Sequence, residues 1–547
     1  MAATAAGGRE QEAWQLLVES AELARWLSFR ELMQIARLSR GFRRMFERAL
    51  GFLWRSRGAA CARADLSHVV KRAVSCGKAA QVRILVPLVV ARNLEKDHRD
   101  DPSFQIDRSS LAEGAPEAQA GGVAPYLFDA IRLGHVAVVG ALLEIGGPEL
   151  PTATDGGESC LAVSVRFQRA GLVGALLEAA GPRQRELLVM SCLSNVDYAD
   201  MSCLHYSVYR GDLVMTNALL GAAARAGALR ELLLLATDSG DTCLHMAAEY
   251  CLLPRGPGVV QALLEAADRA GALLELLLRR SGPGESCLLI AASAGSVDVV
   301  NELLGAAARA GALRELLMLT TVVGDSCLYA SVEEGRVAAM RTLLDAAGPA
   351  RRELLLLTNA FGESCLHIGV EEGRVDVVQA LLDAAGGAQQ KRELLLLADG
   401  SGASCLYLSV ERGDLAMARA LLAAAGEDAP ELLVLVRTAG DTCLHASARS
   451  GRADVARALL AAAGPRRHEL LVLRAGAAPS ALHCACAHAC ARASLETVQA
   501  LLEAAGERKR ELLTLACGGE TCEGLSALLG HLAVAAALRL AATPARA

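Results

Sequence analysis

The stretch Gly362-Glu-Ser-Cys-Leu-His-Ile-Gly-Val-Glu-Glu-Gly-Arg-Val-Asp-Val-Val-Gln-Ala-Leu-Leu-Asp-Ala-Ala-Gly386 decides the fold. It recurs with small changes from before residue 160 to beyond 480. Its landmark cysteine falls at Cys160, Cys203, Cys243, Cys287, Cys327, Cys365, Cys405 and Cys443, at intervals of 43, 40, 44, 40, 38, 40 and 38 residues. A near-constant period of this size marks stacked supersecondary units. Ser364 is placed to cap a first helix running through Leu366 to Val370, and Gly373 breaks it where a left-handed residue is needed. Val377, Val378, Leu381 and Leu382 give the i, i+3/i+4 apolar stripe of a second helix. The pattern predicts an all-α solenoid of stacked helix-turn-helix repeats.

A length of 547 residues would by itself argue for several globular domains. The period overrides that expectation, because the units of a solenoid contact only their neighbours. Hydrophobic residues make up 53% of the chain but aromatics only 3%, so the core must be Leu, Ala and Val. Such side chains suit thin, closely stacked helices.

The net charge of −6 is unevenly spread. Residues 1–100 carry 18 Lys/Arg against 10 Asp/Glu, or +8, which leaves −14 for the remainder. An acidic array argues against wrapping nucleic acid, whose phosphates demand a basic surface. The basic head could still touch an acidic partner.

Of 17 cysteines, eight are the repeat landmark. Equivalent helices of adjacent units should lie roughly 8–10 Å apart, whereas a disulfide needs Cα atoms within about 7 Å. A ladder of small buried thiols in a reducing compartment is expected, not a ladder of disulfides. The first ten residues lack the charged and apolar regions of a secretory signal. No run of 18 uncharged apolar residues appears, so no membrane span is expected. The expectation is a soluble intracellular protein, cytoplasmic or nuclear.

Residues 1–60 differ from the rest. They hold all three tryptophans, Trp14, Trp26 and Trp54, and four of the eight phenylalanines. They read as a small helical module with its own aromatic core. Residues 61–92 carry a degenerate first repeat, in which Ala73-Val-Ser-Cys-Gly77 precedes Val82, Ile84 and Leu85. Terminal units of a solenoid are expected to be atypical. Residues 93–123 run polar and irregular, as an insertion or linker. The array then occupies 124–518, and 519–547 form a C-terminal capping repeat and tail.

Thr442-Cys-Leu-His-Ala-Ser-Ala-Arg-Ser-Gly-Arg-Ala-Asp-Val-Ala-Arg-Ala-Leu-Leu460 resembles an ankyrin repeat, whose signature Thr-Pro-Leu-His-x-Ala opens the first helix. The resemblance covers roughly residues 66–540 and repeats in phase. Two departures stand out. Cysteine replaces the proline that would pre-set φ at the first helical turn, and the period exceeds the family's roughly 33 residues. The excess lies after the second helix, in Arg230-Glu-Leu-Leu-Leu-Leu235, Arg352-Glu-Leu-Leu-Leu-Leu357 and Arg392-Glu-Leu-Leu-Leu-Leu397. These residues favour a short extra helical turn; a β-strand entering the family's hairpin is the competing reading. Their leucines are placed to seal the junction between units.

Trp26-Leu-Ser-Phe-Arg-Glu-Leu-Met-Gln-Ile-Ala-Arg-Leu-Ser-Arg-Gly-Phe-Arg-Arg-Met45 resembles the second half of an F-box, without the usual opening Leu-Pro. That resemblance implies a substrate-recognition subunit of a cullin-type ubiquitin ligase. Its adaptor would dock on Leu27, Phe29, Leu32, Ile35, Leu38 and Phe42. The alternative is a cap that shields the first repeat.

The ankyrin resemblance gives His205, His245, His367, His445 and His483, with Tyr329 and Tyr407, a structural role in bonding the helix cap and the neighbouring loop. His483-Cys-Ala-Cys-Ala-His-Ala-Cys490 is the densest ligand-type cluster. Its i, i+4 pairs Cys484/His488 and Cys486/Cys490 point to helix faces about 200° apart, which one helix cannot bring to a single tetrahedral metal. No phosphate loop, dinucleotide fingerprint, nucleophile elbow or His-Glu-x-x-His occurs. Neither an enzyme nor a cofactor nor a metal is expected.

What remains is surface. By the ankyrin geometry, positions just before the helix-breaking glycine project toward a groove. They read Glu333-Glu334, Glu371-Glu372, Glu411-Arg412 and Arg449-Ser450. The expectation is a protein–protein interaction scaffold whose groove takes a partner protein with a basic segment.

Overall fold

The computed structural model describes residues 66–79, 82–83, 86, 116–147, 149–155, 157–190, 201–250, 252, 256–473, 480–487, 492–517 and 520–542. The module read at residues 1–60 lies outside them. Two compact units divide the chain, residues 1–247 with 261–272 and residues 248–260 with 273–547.

The first unit opens with the helix Leu66–Ser75, closed by the turn at Gly77. The helix Pro116–Leu133 follows, packed on Val136–Gly146. It starts inside the segment read as irregular, which corrects the boundary at 124. Pro116 pre-sets the first helical turn, and the flanking Ala and Glu favour helix over the Gly121-Gly122 pair that reads as a loop. Val74, Leu127, Phe128, Ile131, Val138 and Leu142 are buried together between these helices. Further repeats follow, Cys160–Arg166, Ala170–Ala180 and Gln184–Val189, then Cys203–Tyr209, Leu213–Arg225 and Leu229–Leu234.

The second unit shows the repeat most clearly. First helices Cys287–Ala294, Cys327–Glu333, Cys365–Glu371, Cys405–Arg412 and Cys443–Arg449 pack side by side. So do the second helices Val297–Arg309, Val337–Ala347, Val375–Ala384, Leu415–Ala425 and Ala453–Ala462. A seven-residue helix is not stable alone. Burial between two neighbours supplies the missing free energy, at about 1.5–3 kcal/mol for each leucine fully removed from water. Leu366, Leu381 and Val378 are fully buried. Gly373 ends its helix with φ +67°, the left-handed value expected from the sequence.

The Arg-Glu-Leu-Leu segments are a third helix, Leu313–Leu317, Arg351–Leu355 and Ala388–Leu395, and Ala429–Leu433, with Pro430 in place of the arginine, forms it too. Each buries a leucine pair, such as Leu354 and Leu355, against its own second helix or that of the following repeat. On the outer side, the arginine of one third helix pairs with the glutamate of the next. Arg314–Glu353 stand at 2.8 Å, Arg352–Glu393 at 2.7 Å and Arg392–Glu431 at 2.7 Å.

The competing β reading survives at the hairpins, as two-residue antiparallel strands at Thr154–Asp155 with Glu158–Ser159 and Ala516–Cys517 with Glu520–Thr521, and elsewhere as isolated bridges, among them Thr320↔Ser326, Thr358↔Ser364 and Ala398↔Ser404. One backbone bond joins each hairpin tip to the next. The N–H of Val322 donates to Pro283 (3.1 Å), Ala360 to Val323 (2.8 Å), Gly400 to Phe361 (2.7 Å) and Thr438 to Ser401 (3.0 Å). The tips are so close that a Cβ on Gly362 would stand 2.7 Å from the nitrogen of Gly400.

The landmark cysteine finds its use at this junction. The thiols of Cys287, Cys327, Cys365 and Cys443 donate at 3.6–3.7 Å to the carbonyls of Leu277, Leu317, Leu355 and Leu433, each ten residues upstream in the preceding third helix. A helix C-terminus leaves carbonyls without partners. Proline at this position has no group to offer them; cysteine does.

Candidate partner-binding surface

Each expected groove residue sits at the end of a first helix. Glu333 and Glu371 are terminal helical residues, Glu334 and Glu372 follow as C-caps, Glu411 and Arg412 close the next helix, and Arg449 closes the one after. Glu333, Glu334, Glu372, Glu411 and Arg412 are exposed; Glu371 and Arg449 are half-buried. The position is set by local chemistry: glycine must follow, and the residues before it complete the last turn with side chains directed away from the stacked leucines.

Electrostatics tie these residues to the hairpins. Partial burial pushes the Glu333 carboxyl up from its ordinary value, and the charges of Asp325, Glu334 and Glu372 add to that, against Arg374. Burial and Glu363 raise Glu371, with Asp399 and Glu372 adding and Arg412 opposing. The hairpin carboxylates Asp325 and Glu363 thus join the helix-end carboxylates in one acidic region. Asn359 ties them together, its Nδ2 donating to Glu363 at 2.9 Å and to Asp325 at 3.3 Å. Sequence reasoning missed Asp325 and Glu363; their signal is a carboxylate directly after the tip glycine in successive units.

Arg449 is also held by the fold. Its guanidinium donates to Asp441 at 2.9 Å and to the Tyr407 hydroxyl at 2.9 Å, while that hydroxyl donates to Asp441 at 3.0 Å. Arg437 lies over the Tyr407 ring, 4.9 Å from its centroid, and also pairs with Asp441. Burial raises the Asp441 carboxyl, but its bonds to Arg449 and Tyr407 and the charge of Arg437 outweigh burial and hold it low. The cluster joins two repeats where tyrosine has taken the histidine position.

The histidines are structural. The backbone N–H of Ser364 donates to Nδ1 of His367 at 3.2 Å, and Ser364 Oγ stands 2.8 Å from the same nitrogen. Nδ1 is therefore the acceptor and Nε2 carries the proton, which it donates to the Ala403 carbonyl of the next hairpin at 3.3 Å. Thr242/His245 and Thr442/His445 repeat the cap at 2.9 and 2.8 Å. Burial lowers the pKa of His205 to about 4. A histidine buried neutral, as His367 is with both nitrogens engaged, has no proton to trade.

The thiols are equally unreactive. Burial pushes Cys160, Cys243, Cys287, Cys327, Cys365 and Cys443 up to about 12. Thiolate is the nucleophilic form, and at neutral pH these sites hold almost none. Cys203 departs from the other landmarks in being disulfide-bonded; Cys160, Cys243, Cys287, Cys327, Cys365, Cys405 and Cys443 are free.

Among the described residues no group of three or more His, Cys, Asp or Glu could hold a metal ion. Of the cluster near 483, Cys484 and Cys486 are buried, whereas His488 and Cys490 lie outside the described residues. The adaptor-docking set Leu27, Phe29, Leu32, Ile35, Leu38 and Phe42 also lies outside them. No described helix is long and apolar enough to cross a membrane.

Comparison with known families matches residues 288–393 to ankyrin repeats, in three copies, and residues 439–467 to a further ankyrin repeat. These stretches are ankyrin repeats. The remaining units with the same helices share their architecture. Ankyrin repeats are in general protein–protein interaction modules, and the proteins that carry them are typically non-enzymatic scaffolds. Among solved structures, the chain is similar to the ankyrin repeat domain of Bcl-3, described as a unique member of the IkappaB protein family. Identity is 24% over 44% of this chain and 91% of that one, with a TM-score of 0.36. It is also similar to EF0377, an ankyrin repeat protein, at 16% identity over 40% of this chain and 95% of that one, with a TM-score of 0.31. No curated protein matches the chain.

Proposed function

We propose that this chain is a non-enzymatic scaffold that binds a partner protein across the ends of its first helices, at Glu333, Glu334, Glu371, Glu372, Glu411, Arg412 and Arg449. One observation carries the reading. Adjacent repeats place carboxylates at the same position, and hairpin carboxylates crowd them further, so that burial and like charge raise both Glu333 and Glu371. Folding gains nothing from that crowding. A basic segment of a partner would relieve it. The net charge of −6 fits a protein ligand better than a nucleic acid.

The test is replacement of Glu334, Glu371 and Glu411 by Lys in the full chain, followed by affinity capture of bound proteins. Partner capture should be lost while the melting temperature does not fall. Unchanged capture removes the reading.

The order of residues in Trp26–Met45 supports a narrower second reading, in which residues 1–60 recruit a ubiquitin-ligase adaptor and the repeats hold the substrate. Recovery of that adaptor with the chain, lost on Leu32→Asp or Leu38→Asp, would favour it. Its absence returns the segment to a cap.

A further inference from the structure

Successive hairpin tips of the second unit carry exposed apolar side chains. Phe361 is 65% exposed, Val322 74% and Val323 46%, and Pro283 beside them is also exposed. These residues are consecutive along the ridge, because the tip bonds join Val322 to Pro283 and Ala360 to Val323. The chain supplies its own control. The residue before the tip glycine reads Ser239, Pro283, Val323, Phe361, Ser401 and Ala439 in successive repeats. Serine serves the fold equally well at two of these positions, so the apolar choice at the three in between is not imposed by folding. Large apolar groups left in water at neighbouring positions mark an interaction site.

The same repeats carry the carboxylates. Helix ends read Ser293-Ala294, then Glu333-Glu334, Glu371-Glu372 and Glu411-Arg412. Asn359 ties the Phe361 tip to the hairpin carboxylates Asp325 and Glu363, whose charges act on the helix-end carboxylates Glu333 and Glu371. Its Oδ1 accepts from the N–H of Phe361 at 3.0 Å, while its Nδ2 donates to Asp325 and Glu363. The surface is also pre-ordered. Each tip is fixed to its neighbour by a backbone bond, so binding orders little of the scaffold, and pre-ordering of this kind favours affinity.

We propose that the tips Pro283, Val322, Val323 and Phe361, with the carboxylates Glu333, Glu334, Glu371 and Glu372 beside them, dock one extended segment of a partner protein. That segment sets aliphatic or aromatic side chains on the tips and Lys or Arg against the carboxylates. The charge is what selects this occupant: an acidic segment meets four carboxylates that Arg336, 4.0 Å from Glu334, and the charges of Arg374 and Arg412 offset only in part. The proposal rests on the groove reading above and adds the tips and the apolar half of the ligand.

The experiment is selection of a phage-displayed random dodecapeptide library against the full chain, with the selected peptides then measured on two variants. One is V322S/V323S/F361S, which copies the serine found at 239 and 401; the other is E334K/E371K. Thermal melts check that both variants fold, and Phe361→Ser alone replaces the triple variant if that one is destabilised. Enriched peptides should combine an aliphatic or aromatic residue with two or more Lys or Arg, and their affinity should fall about tenfold or more on each variant. Peptides sensitive to E334K/E371K but indifferent to the tip variant overturn the tip proposal and leave the groove reading standing. Indifference to both variants overturns both readings. Failure to enrich any sequence overturns the tip proposal.

Discussion

Cys365 Sγ lies 3.7 Å from the carbonyl oxygen of Leu355, tying the start of one repeat to the end of the repeat before it. Both residues are buried, so a carbonyl that loses this donor has no water to turn to. An unsatisfied buried acceptor costs about 1–3 kcal/mol. Cys365→Ala should therefore lower stability by roughly that amount, and Cys365→Ser, which keeps a donor, should lower it less. Urea denaturation of the three proteins decides the matter. Equal midpoints for Ala and Ser would show that the thiol contributes volume alone.

His205 predicts an acid sensitivity. Its folded pKa is about 4, against 6.5 for the free group. A depressed folded pKa means that the unfolded state takes up the proton first. The stabilisation is complete above about pH 6.5 and is lost as pH falls toward 4. The shift corresponds to about 3 kcal/mol for this histidine. Tyrosine already occupies the equivalent place at Tyr329 and Tyr407, so His205→Tyr should keep the fold and flatten the fall of melting temperature between pH 6.5 and 4. An unchanged slope would place the acid sensitivity elsewhere.

Glu371 carries the opposite sign. Its carboxyl pKa is raised in the fold by burial and by Glu363. The stability it contributes is present below the unfolded pKa and is lost as pH rises through the folded value. Glu371→Gln should thus raise the melting temperature at pH 7 and leave it unchanged near pH 3, while weakening any cationic ligand. A variant that melts lower at pH 7 would show the carboxylate to be structurally paired.

The Arg352–Glu393 pair should matter little on its own. Both side chains reach solvent, at 62% and 25% exposure. Water screens exposed pairs of this kind, so each adds little. A double-mutant cycle with Arg352→Ala and Glu393→Ala should return a coupling near zero that vanishes in 1 M salt. A large coupling that survives salt would mean that the Arg–Glu row acts as a cooperative network.

The helix pair was legible in the chain because its determinants are local: Ser364 at the cap, Gly373 at the break and four apolar residues on one stripe. The role of the histidines followed from the resemblance, and the third helix from the propensity of Arg, Glu and Leu. The thiol-to-carbonyl bond was not legible. It depends on where Leu355 ends, which no periodicity fixes. The Arg314–Glu353 and Arg352–Glu393 pairs depend on stacking register, again absent from any single repeat. Asp325 and Glu363 went unnoticed beside Glu333 and Glu371 because hairpin and helix end are adjacent only after folding. The helix beginning at Pro116 was obscured by Gly121-Gly122, whose cost of about 1 kcal/mol each the surrounding helix absorbs.

The ten-residue spacing between Leu355 and Cys365 has an evolutionary reading. Excision of residues 365–404 would bring Cys405 directly after Ser364, again ten residues beyond Leu355. Duplication of the same block would create the same spacing twice. Loss or gain of whole repeats therefore leaves every such junction chemically intact, and copy number can drift while the local grammar is preserved. A lineage could lengthen or shorten its recognition surface by recombination alone, without re-inventing a single contact between repeats.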